Sequence, residues 1–436
     1  MEQRFESLTD NYVTSLKNAG SKLAGLDPTD DAAWASLRSH WDIREGTVYL
    51  NHGSFGLPPA SVRAARRAWQ DELDRQPMDF FVRKLEPALQ AARDRLARFI
   101  GAEPGNLIFV ENATAGMNIA ADSFPLESGD EVLLTDHEYG AVKRIWQRTC
   151  DRSGALFRIA PLPLPFRTRE ETVDALFAEV TVRTRMLVVS HITSPTAVTL
   201  PVADICRRAS ERGIAVAIDG PHAIVQEPLD LKSLDCDYYA ASCHKWLSAP
   251  FGSGFLYVAP RHQAKVRPPM LSWGRLLPGE ILTWADEFIW SGTRDPSAYL
   301  SIPAAIDFLE EIGPENFRAR SHALASYARE RVTALTGLEP MVPDDPQWYC
   351  SMAHVPLPDA REPAPTPVGG RIDKRDKSCP TGNPLQNLLW HEFGIEMPVV
   401  EFHGRRWARI SCHLYNSRQD IDQLVDALRS LLSRGQ

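Results

Sequence analysis

The sequence has few cysteines, and their spacing excludes the folds that depend on them. Seven cysteines are scattered over 436 residues, and no two of them form a CxxC pair. A disulfide framework and a zinc knuckle both need paired cysteines, so neither is expected. Dispersed, unpaired cysteines are typical of a reducing compartment, and we expect a cytoplasmic location.

Long hydrophobic runs and an excess of positive charge are also lacking. No apolar stretch is long enough to cross a bilayer, and Met1–Asn11 carries acids without the apolar centre of a signal peptide. The formal net charge is −8, whereas nucleic-acid binders usually present a basic face. We therefore expect a soluble globular protein that has neither a membrane nor a nucleic acid as its partner.

The signature motifs of nucleotide and metal sites are absent too. No GxGxxG follows a predicted strand, and no GxxxxGK[ST] occurs anywhere in the chain. Four histidines that follow predicted strands, His137, His191, His222 and His244, lie in neither an HxH nor an HExxH pattern. We expect no metal, and a hydrogen-bonding role is the default for each of these histidines taken alone.

What the chain does contain is an alternation of short apolar strands with helices. Continuous apolar strands that alternate with helices indicate a parallel sheet covered on both faces. The predicted fold class is therefore α/β. The clearest predicted strands are Leu107–Val110, Glu131–Leu134, Met186–Val189 and Ile214–Ile218.

Three regions are predicted along the chain. Residues 1–45, with a weakly helical stretch around Ala32–Trp41, form an N-terminal arm that packs on the body or on a partner subunit. Residues 46–300 form a large α/β domain, and residues 301–436 form a smaller α+β domain. The proline-rich segment Pro356–Pro384 is predicted to be an exposed loop.

Polar side chains follow five of the predicted strands. Ligand sites of open parallel sheets lie at the carboxyl ends of the strands, so these segments are the candidates for a functional rim. The alternative is the ordinary polarity of loops. The segments are Asn112–Gly116, His137–Tyr139, His191–Thr196, Asp219–His222 and Ser242–Lys245.

Asp219 and Lys245 stand out within this rim. Asp219 ends an apolar strand, where a lone carboxylate is costly unless a cation meets it. Lys245 lies 26 residues further on and is flanked by apolar residues, including Trp246 and Leu247. Burial turns a lysine into a usable amine for Schiff-base chemistry. The alternative is a purely structural ion pair between the two side chains.

The segment Asn112–Gly116 opens a predicted helix with small residues. Backbone N–H groups at such a helix N-terminus are able to bind a phosphate. Thr114 is also an ordinary capping residue, and the capping and phosphate interpretations are compatible.

In combination, these residues resemble the fold type I enzymes that use pyridoxal 5′-phosphate, and among them the class V aminotransferase family. The likeness runs from about Tyr49 to Asn416. It rests on Ser-Cys-His-Lys-Trp at 242–246, followed by Gly252–Tyr257, and on the spacing of Asp219 from Lys245. The resemblance implies a fold type I transferase fold, with a mainly parallel seven-stranded sheet in the large domain.

The resemblance also implies a role for each rim residue. Lys245 is the catalytic residue, which holds pyridoxal 5′-phosphate as an internal aldimine and moves a proton. Asp219 pairs with the pyridine nitrogen, and Tyr139 stacks on the ring. His222 and Ser194 lie near the phenolic oxygen, where Ser194 replaces the Asn of desulfurases. The phosphate is bound by Ala113, Thr114, Ser242, His244 and, from a neighbouring subunit, Thr293.

An amino-acid-type substrate and a homodimer follow from the same resemblance. Arg409 matches the arginine that binds the substrate α-carboxylate, a task for which its planar fork is suited. The alternative for Arg409 is a surface salt bridge. Asn51, His52 and Ser54 lie where the N-terminal turn of the family lines the substrate entrance. A contribution of Thr293 to the neighbouring site implies at least a dimer with shared active sites.

The sequence leaves the reaction open. The cofactor lowers the barrier to breaking any bond at Cα, and the protein chooses the bond. The turn at Asn51–Gly56 and the run His137–Val142 resemble the isopenicillin N epimerase-like branch. An epimerase or racemase is therefore predicted, in which Lys245 serves one face of Cα and the acid for the other face has no candidate. A C–S lyase is the first alternative, and an aminotransferase is the second.

Two further alternatives are disfavoured. A cysteine desulfurase needs a thiolate on a mobile loop, but residues 394–399 before Arg409 hold no cysteine, and Cys379 does not align with the family's cysteine. A regulator or degenerate scaffold would not need Lys245, Asp219 and Arg409 all intact, and residues 1–45 are too short for a DNA-binding domain.

Overall fold

The computed structural model describes residues 25–275, 281–359 and 383–434, and it confirms the α/β class. Most of the predicted loop Pro356–Pro384, together with Cys379, lies outside these residues, as does the start of the N-terminal arm. The strands of the described chain are β1 (Val48–Tyr49), β2 (Leu107–Val110), β3 (Glu131–Thr135), β4 (Leu156–Ala160), β5 (Thr184–Ser190), β6 (Ala215–Asp219), β7 (Tyr238–Ser242), β8 (Gly254–Val258), β9 (Met352–Leu357), β10 (Ile395–Glu396), β11 (Val399–Phe402) and β12 (Arg405–Ser411).

Helices separate most of these strands. The α-helices are Asp31–Trp34, Ala60–Arg75, Pro77–Asp79, Leu85–Phe99, Ala113–Ser123, Gly140–Ser153, Arg169–Ala178, Val202–Ser210, Leu231–Leu234, Pro260–Gln263, Ser297–Leu300, Ile302–Ile312, Pro314–Thr336, Pro384–Phe393 and Arg418–Arg434. Short 3-10 helices lie at Ala35–His40, Pro104–Asn106 and Trp284–Phe288, and a π-helical turn lies at Phe80–Lys84. In the described ranges, none of the helices combines the length and apolarity that crossing a membrane requires.

The described chain divides into two compact units. The large unit contains the described residues of Gly56–Ser194 and Thr199–Pro314, and the small unit contains those of Gly25–Phe55, Pro195–Val198 and Glu315–Gln436. The predicted domain limits at residues 45 and 300 stay a prediction.

The large unit is built on one seven-stranded sheet in the order β2-β8-β7-β6-β5-β3-β4. β8 pairs antiparallel with both of its neighbours, β2 and β7, and the other pairings are parallel. β2 therefore runs in the same direction as β7. One edge of the sheet consequently holds the carboxyl ends of β2, β3, β5, β6 and β7. Ligand sites of open parallel sheets lie at such an edge.

The core of the large unit lies between this sheet and the helices Ala113–Ser123 and Gly140–Ser153. Met117 and Trp146 from these helices pack on Tyr238 and other apolar residues of the strands, all of them buried. Burying a large apolar side chain contributes roughly 1.5–3 kcal/mol, so this layer fixes the strand ends that carry the polar residues.

The small unit contains a three-stranded antiparallel sheet, β11-β12-β9, and the short parallel pair β1-β10. The part of the predicted N-terminal arm that the structure describes belongs to this unit. The side chain of Asp30 caps the helix Asp31–Trp34 by accepting from the backbone N–H of Ala32, and Arg38 donates to the backbone carbonyl of Tyr415 over 2.7 Å.

Candidate active site

The predicted lysine lies in a turn that is fixed to the sheet at both ends. β7 ends at Ser242, whose register partner on β8 is Gly254. A Cβ atom at Gly254 would lie 2.5 Å from the carbonyl oxygen of Ala241 and 3.0 Å from Cα of Asn112. Only glycine fits there, so this residue of the Gly252–Tyr257 motif lets the helix start at Asn112 approach the end of β7.

Lys245 contacts His222 directly. Its Nζ lies 3.1 Å from Nε2 of His222, and the indole N–H of Trp246 donates to Nδ1 of the same imidazole over 3.2 Å. His222 and Trp246 are both buried, and Lys245 is half-buried. The structure therefore brings the predicted lysine and the predicted histidine into one hydrogen-bonded group.

Asp219 lies at the end of β6, opposite Ser190 on β5 and Ala240 on β7. Burial, the largest cause, and the negative charge of Glu138 raise the pKa of Asp219 to about 7, and a positive charge on Lys245 would oppose them. No residue within the described ranges donates a hydrogen bond to its carboxylate. A buried carboxyl in this state fits a cationic partner.

Glu138 is a second buried carboxyl beside this site. Burial raises the pKa of Glu138, while hydrogen bonds from Ser190 and Thr135 and the charge of Lys143 oppose the rise. Glu138 lies within the predicted rim segment His137–Tyr139 but has no predicted role, because a polar residue after a strand gives no signal of whether it will be buried.

The start of the helix Ala113–Ser123 provides backbone donors at the same edge. The N–H of Ala113 donates to Oγ of Ser242 over 2.9 Å, and the N–H of Ala115 donates to the side chain of Asn112 over 2.9 Å. The backbone N–H of Thr114 has no hydrogen-bond acceptor among the described residues, and this residue is exposed. A helix N-terminus with such an available donor suits a phosphate.

The remaining predicted residues of the large unit differ in their settings. Burial, with Lys245 beside it, lowers the pKa of His244 to about 4, and its Nδ1 is buried without a partner in the described part of the chain. Tyr139 precedes the helix Gly140–Ser153 with 46% of its surface exposed, as a stacking residue in a ligand cleft would be. Ser194 is half-buried, and Thr293 is exposed in the segment before Ser297.

The small unit holds the predicted substrate residues. Arg409 of β12 is buried, and its guanidinium donates to Oγ of Ser54. Nδ1 of His52 lies 3.0 Å from the hydroxyl of Tyr415, and the His52 ring stacks on His413 with centroids 4.0 Å apart. The turn that carries His52 and Ser54 is thus joined to the strand of Arg409, and the surface salt-bridge alternative for Arg409 does not fit its burial.

The residues of the large unit fit pyridoxal 5′-phosphate. The amine of Lys245 suits the aldehyde of that molecule. Among the described residues, the carboxylate of Asp219 has no hydrogen-bond donor and the N–H of Thr114 has no acceptor, so they suit the pyridine nitrogen and the phosphate. Trp246 also belongs to this group through its hydrogen bond to His222, although the sequence predicts it only as part of the 242–246 motif and as an apolar neighbour of the lysine.

Comparisons with known proteins give a consistent family. The chain matches the aminotransferase class-V family over residues 77–424. It is 36% identical to isopenicillin N epimerase of Amycolatopsis lactamdurans over 414 residues, which cover 92% of this chain and 98% of that protein. It is also 29% identical to putative L-cysteine desulfhydrase 1 of Oryza sativa subsp. japonica, over 92% of this chain and 86% of that protein.

Solved structures share the fold. The cystine C–S lyase C-DES, solved with glycine covalently linked to its PLP cofactor, superposes with a TM-score of 0.74 at 21% identity, covering 92% of this chain and 99% of that one. A cysteine desulfurase from Escherichia coli superposes with a TM-score of 0.72 at 21% identity, over 92% of this chain and 98% of that one. These similarities confirm the predicted fold type I architecture.

Proposed function

The chain belongs to the class V aminotransferase family and is a pyridoxal 5′-phosphate-dependent enzyme, and we propose that it inverts the configuration at Cα of an amino acid or of the amino-acid part of a larger substrate. The observation that carries this choice is the identity of 36% and 35% to two isopenicillin N epimerases, each over 92% of this chain and 98% of theirs.

The bound cofactor supplies an electron sink that makes the Cα–H bond of the substrate acidic. Lys245 would hold the cofactor through Nζ, and during turnover the same amine would move the proton on one face of Cα, while inversion requires a second proton donor on the other face. Asp219 would pair with the pyridine nitrogen, which would relieve the cost of a buried carboxylate that has no hydrogen-bond donor among the described residues. The N–H of Thr114, with Ala113, Ser242 and His244, binds the phosphate, and Tyr139 and Ser194 border the ring.

Arg409 binds the α-carboxylate of the substrate in this proposal. Its support is the burial of the guanidinium and its hydrogen bond to Ser54, which hold the planar donor group in one orientation. His52 lies in the same turn as Ser54, and its contact with the hydroxyl of Tyr415 holds the ring in place.

We also propose that the active unit is a homodimer in a reducing, cytoplasmic compartment. Thr293 is exposed, as a residue that reaches a neighbouring phosphate must be. The segment before it exposes large apolar side chains, Leu271 at 80% and Trp273 at 73%, which suit burial against a second copy. The described cysteines are buried thiols, which a reducing compartment preserves.

A C–S lyase is the second candidate function. The 29% identity to two putative L-cysteine desulfhydrases of Oryza sativa favours it. A lyase uses the same Lys245 for the first proton transfer and differs in the loss of a leaving group from Cβ. The two candidates therefore share every residue named above.

Incubation of the enzyme with L-amino acids in D2O separates the candidates. The epimerase proposal expects exchange of the Cα proton together with the D-isomer, whereas a lyase releases pyruvate and sulfide from cysteine. Lys245→Ala is the control, because it removes the amine, and it is expected to lose both the visible cofactor band and the exchange. Pyruvate without any D-isomer would overturn the epimerase proposal, and a colourless wild-type protein would overturn the role of Lys245.

A further inference from the structure

We propose that Trp246 fixes the tautomer of His222 and thereby holds Lys245 in its unprotonated, nucleophilic form. Trp246 is then a positioning residue, since it acts on the lysine through the histidine. The inference rests on the proposed function of Lys245 as the amine that binds the cofactor.

The indole of Trp246 contacts one nitrogen of the His222 ring. An indole N–H only donates, so the 3.2 Å contact requires a lone pair on Nδ1 of His222. An imidazolium carries an N–H on each ring nitrogen, so the N–H at Nδ1 would face the indole N–H with no acceptor between them. Both rings are 1% exposed, so water does not compensate for a lost or opposed hydrogen bond.

The other nitrogen of the His222 ring contacts Lys245. A neutral histidine carries one N–H, and with Nδ1 accepting, the proton is on Nε2. Nε2 faces Nζ of Lys245 over 3.1 Å. An ammonium has three donors and no acceptor, so it would oppose this N–H, whereas a neutral amine accepts it. The geometry therefore favours the free amine.

Neighbouring charges allow this state. The titratable groups that interact with Lys245 include Asp219 and His244. Burial already raises the pKa of Asp219 to about 7, and a neutral Lys245 removes the positive charge that opposes this rise. Burial lowers the pKa of His244 to about 4, so His244 is neutral as well. Neither neighbour requires an ammonium at Lys245.

The protonation state of Lys245 decides whether its amine is able to attach the cofactor. To attach the cofactor, the amine nitrogen bonds to the aldehyde carbon, and the aldehyde oxygen leaves as water. Only the unprotonated amine has the lone pair for this bond. Trp246 thus prepares the lysine before the cofactor arrives.

The test uses the full chain without cofactor, labelled with 15N-histidine, and the signal of His222 is assigned by its loss in His222→Gln. We expect an unprotonated Nδ1 and a protonated Nε2 in the wild type. Trp246→Phe keeps the ring and removes the donor, and it is expected to populate the other tautomer or the imidazolium. Trp146→Phe is the matched control, because Trp146 is equally buried and its indole N–H has no partner in the described chain.

A second readout is the rate at which pyridoxal 5′-phosphate attaches, followed by its visible band between about pH 6 and pH 8. The rate for Trp246→Phe is expected to fall with decreasing pH at least tenfold more than the rates for the wild type and Trp146→Phe. A protonated Nδ1 in the wild type overturns the inference, even if Trp246→Phe fails to fold. Identical pH profiles for the three proteins also overturn it. Failure of the wild type to attach cofactor through Lys245 would instead overturn the proposed function.

Discussion

Ser190 donates both its backbone N–H and its hydroxyl to the carboxyl group of Glu138, over 2.9 and 2.6 Å. Ser190 is also the register partner of Asp219 across β5 and β6. Ser190 on β5 thus lies between two buried carboxyl groups, that of Glu138 after β3 and that of Asp219 at the end of β6. The hydrogen bonds favour the ionised form of Glu138, and its charge raises the pKa of Asp219.

Replacement of Glu138 by glutamine is expected to lower the pKa of Asp219 from about 7, because it removes a negative charge that disfavours ionisation. The measurement is the 13C carboxyl shift of Asp219 against pH in the cofactor-free chain, assigned with Asp219→Asn. Glu111→Gln is the control, since Glu111 is exposed and pairs with Arg294. A midpoint that stays the same or rises in Glu138→Gln would contradict the coupling.

Asp219 should make the stability of the cofactor-free protein depend on pH. Its pKa in the folded chain is about 7 against 3.8 in the unfolded chain, so the folded state retains a proton that the unfolded state has lost. The free energy of unfolding therefore falls as pH rises from about 4 to about 7. The Asp219→Asn variant should not show this fall in the free energy of unfolding, because asparagine does not titrate.

Thermal unfolding of the cofactor-free proteins measures this effect. The Tm of the wild type is expected to drop by a few degrees relative to Asp219→Asn between about pH 5 and pH 8. Addition of pyridoxal 5′-phosphate should raise the Tm of the wild type more, because the ring nitrogen pairs with the carboxylate. Parallel Tm curves for the two proteins would show that Asp219 is not the group responsible.

Gly56→Ala is expected to weaken cofactor binding at least tenfold. A Cβ at this position would lie 2.3 Å from the carbonyl oxygen of Lys245 and 2.5 Å from that of His244, so the backbone around the lysine must move. Titration of pyridoxal 5′-phosphate by its visible band measures the affinity, which would fall by about 1.4 kcal/mol. Gly105→Ala is the control, because no atom lies within 4 Å of a Cβ there. Equal affinities for the two variants would rule out the close approach as a constraint.

Arg409→Lys is expected to raise KM roughly tenfold or more and to leave the cofactor band unchanged. Lysine keeps the charge and loses the planar pair of donors that matches a carboxylate. Ser54→Ala removes one hydrogen bond to Arg409 and should have a smaller effect, about 1 kcal/mol.

The saturation curve of Cα–H exchange in D2O gives the KM for Arg409→Lys. Arg406→Lys is the control, because Arg406 lies three residues earlier on β12 and donates to the backbone carbonyl of Pro358. A KM for Arg409→Lys that equals the KM for Arg406→Lys would remove Arg409 from the substrate site.

The sequence predicts the parallel core of the fold well, because its strands are continuous apolar runs. β2 has the predicted limits, and β6 ends one residue beyond the prediction, at Asp219. β4 escaped prediction because it lies at the sheet edge with several side chains exposed, so its apolar pattern is interrupted. An edge strand is less buried than a central one, so it lacks the continuous apolar run by which a buried strand is predicted.

The sequence predicts which residues form the site, but it does not predict how their side chains are oriented. The strand-end rule places Asp219, His222 and Lys245 at one edge, and the structure brings His222 and Lys245 within hydrogen-bond distance. The contact of Trp246 with His222 depends on a turn in which Ser248 adopts a positive φ of 56° and its N–H donates to the carbonyl of Lys245. The spacing of residues in the sequence does not predict the direction in which this turn orients the indole N–H of Trp246.

The antiparallel direction of β8 has a mechanical consequence for the lysine. Because Ser242 pairs with Gly254, residues 243–253 form a closed loop between two strands of one hairpin, anchored at both ends in the middle of the sheet. Backbone hydrogen bonds from Cys243 to Ser253 and from Ala249 to Cys243 restrain the main chain of this loop further. We therefore expect movement of the amine during turnover to come mainly from rotation about the four carbon–carbon bonds of the lysine side chain.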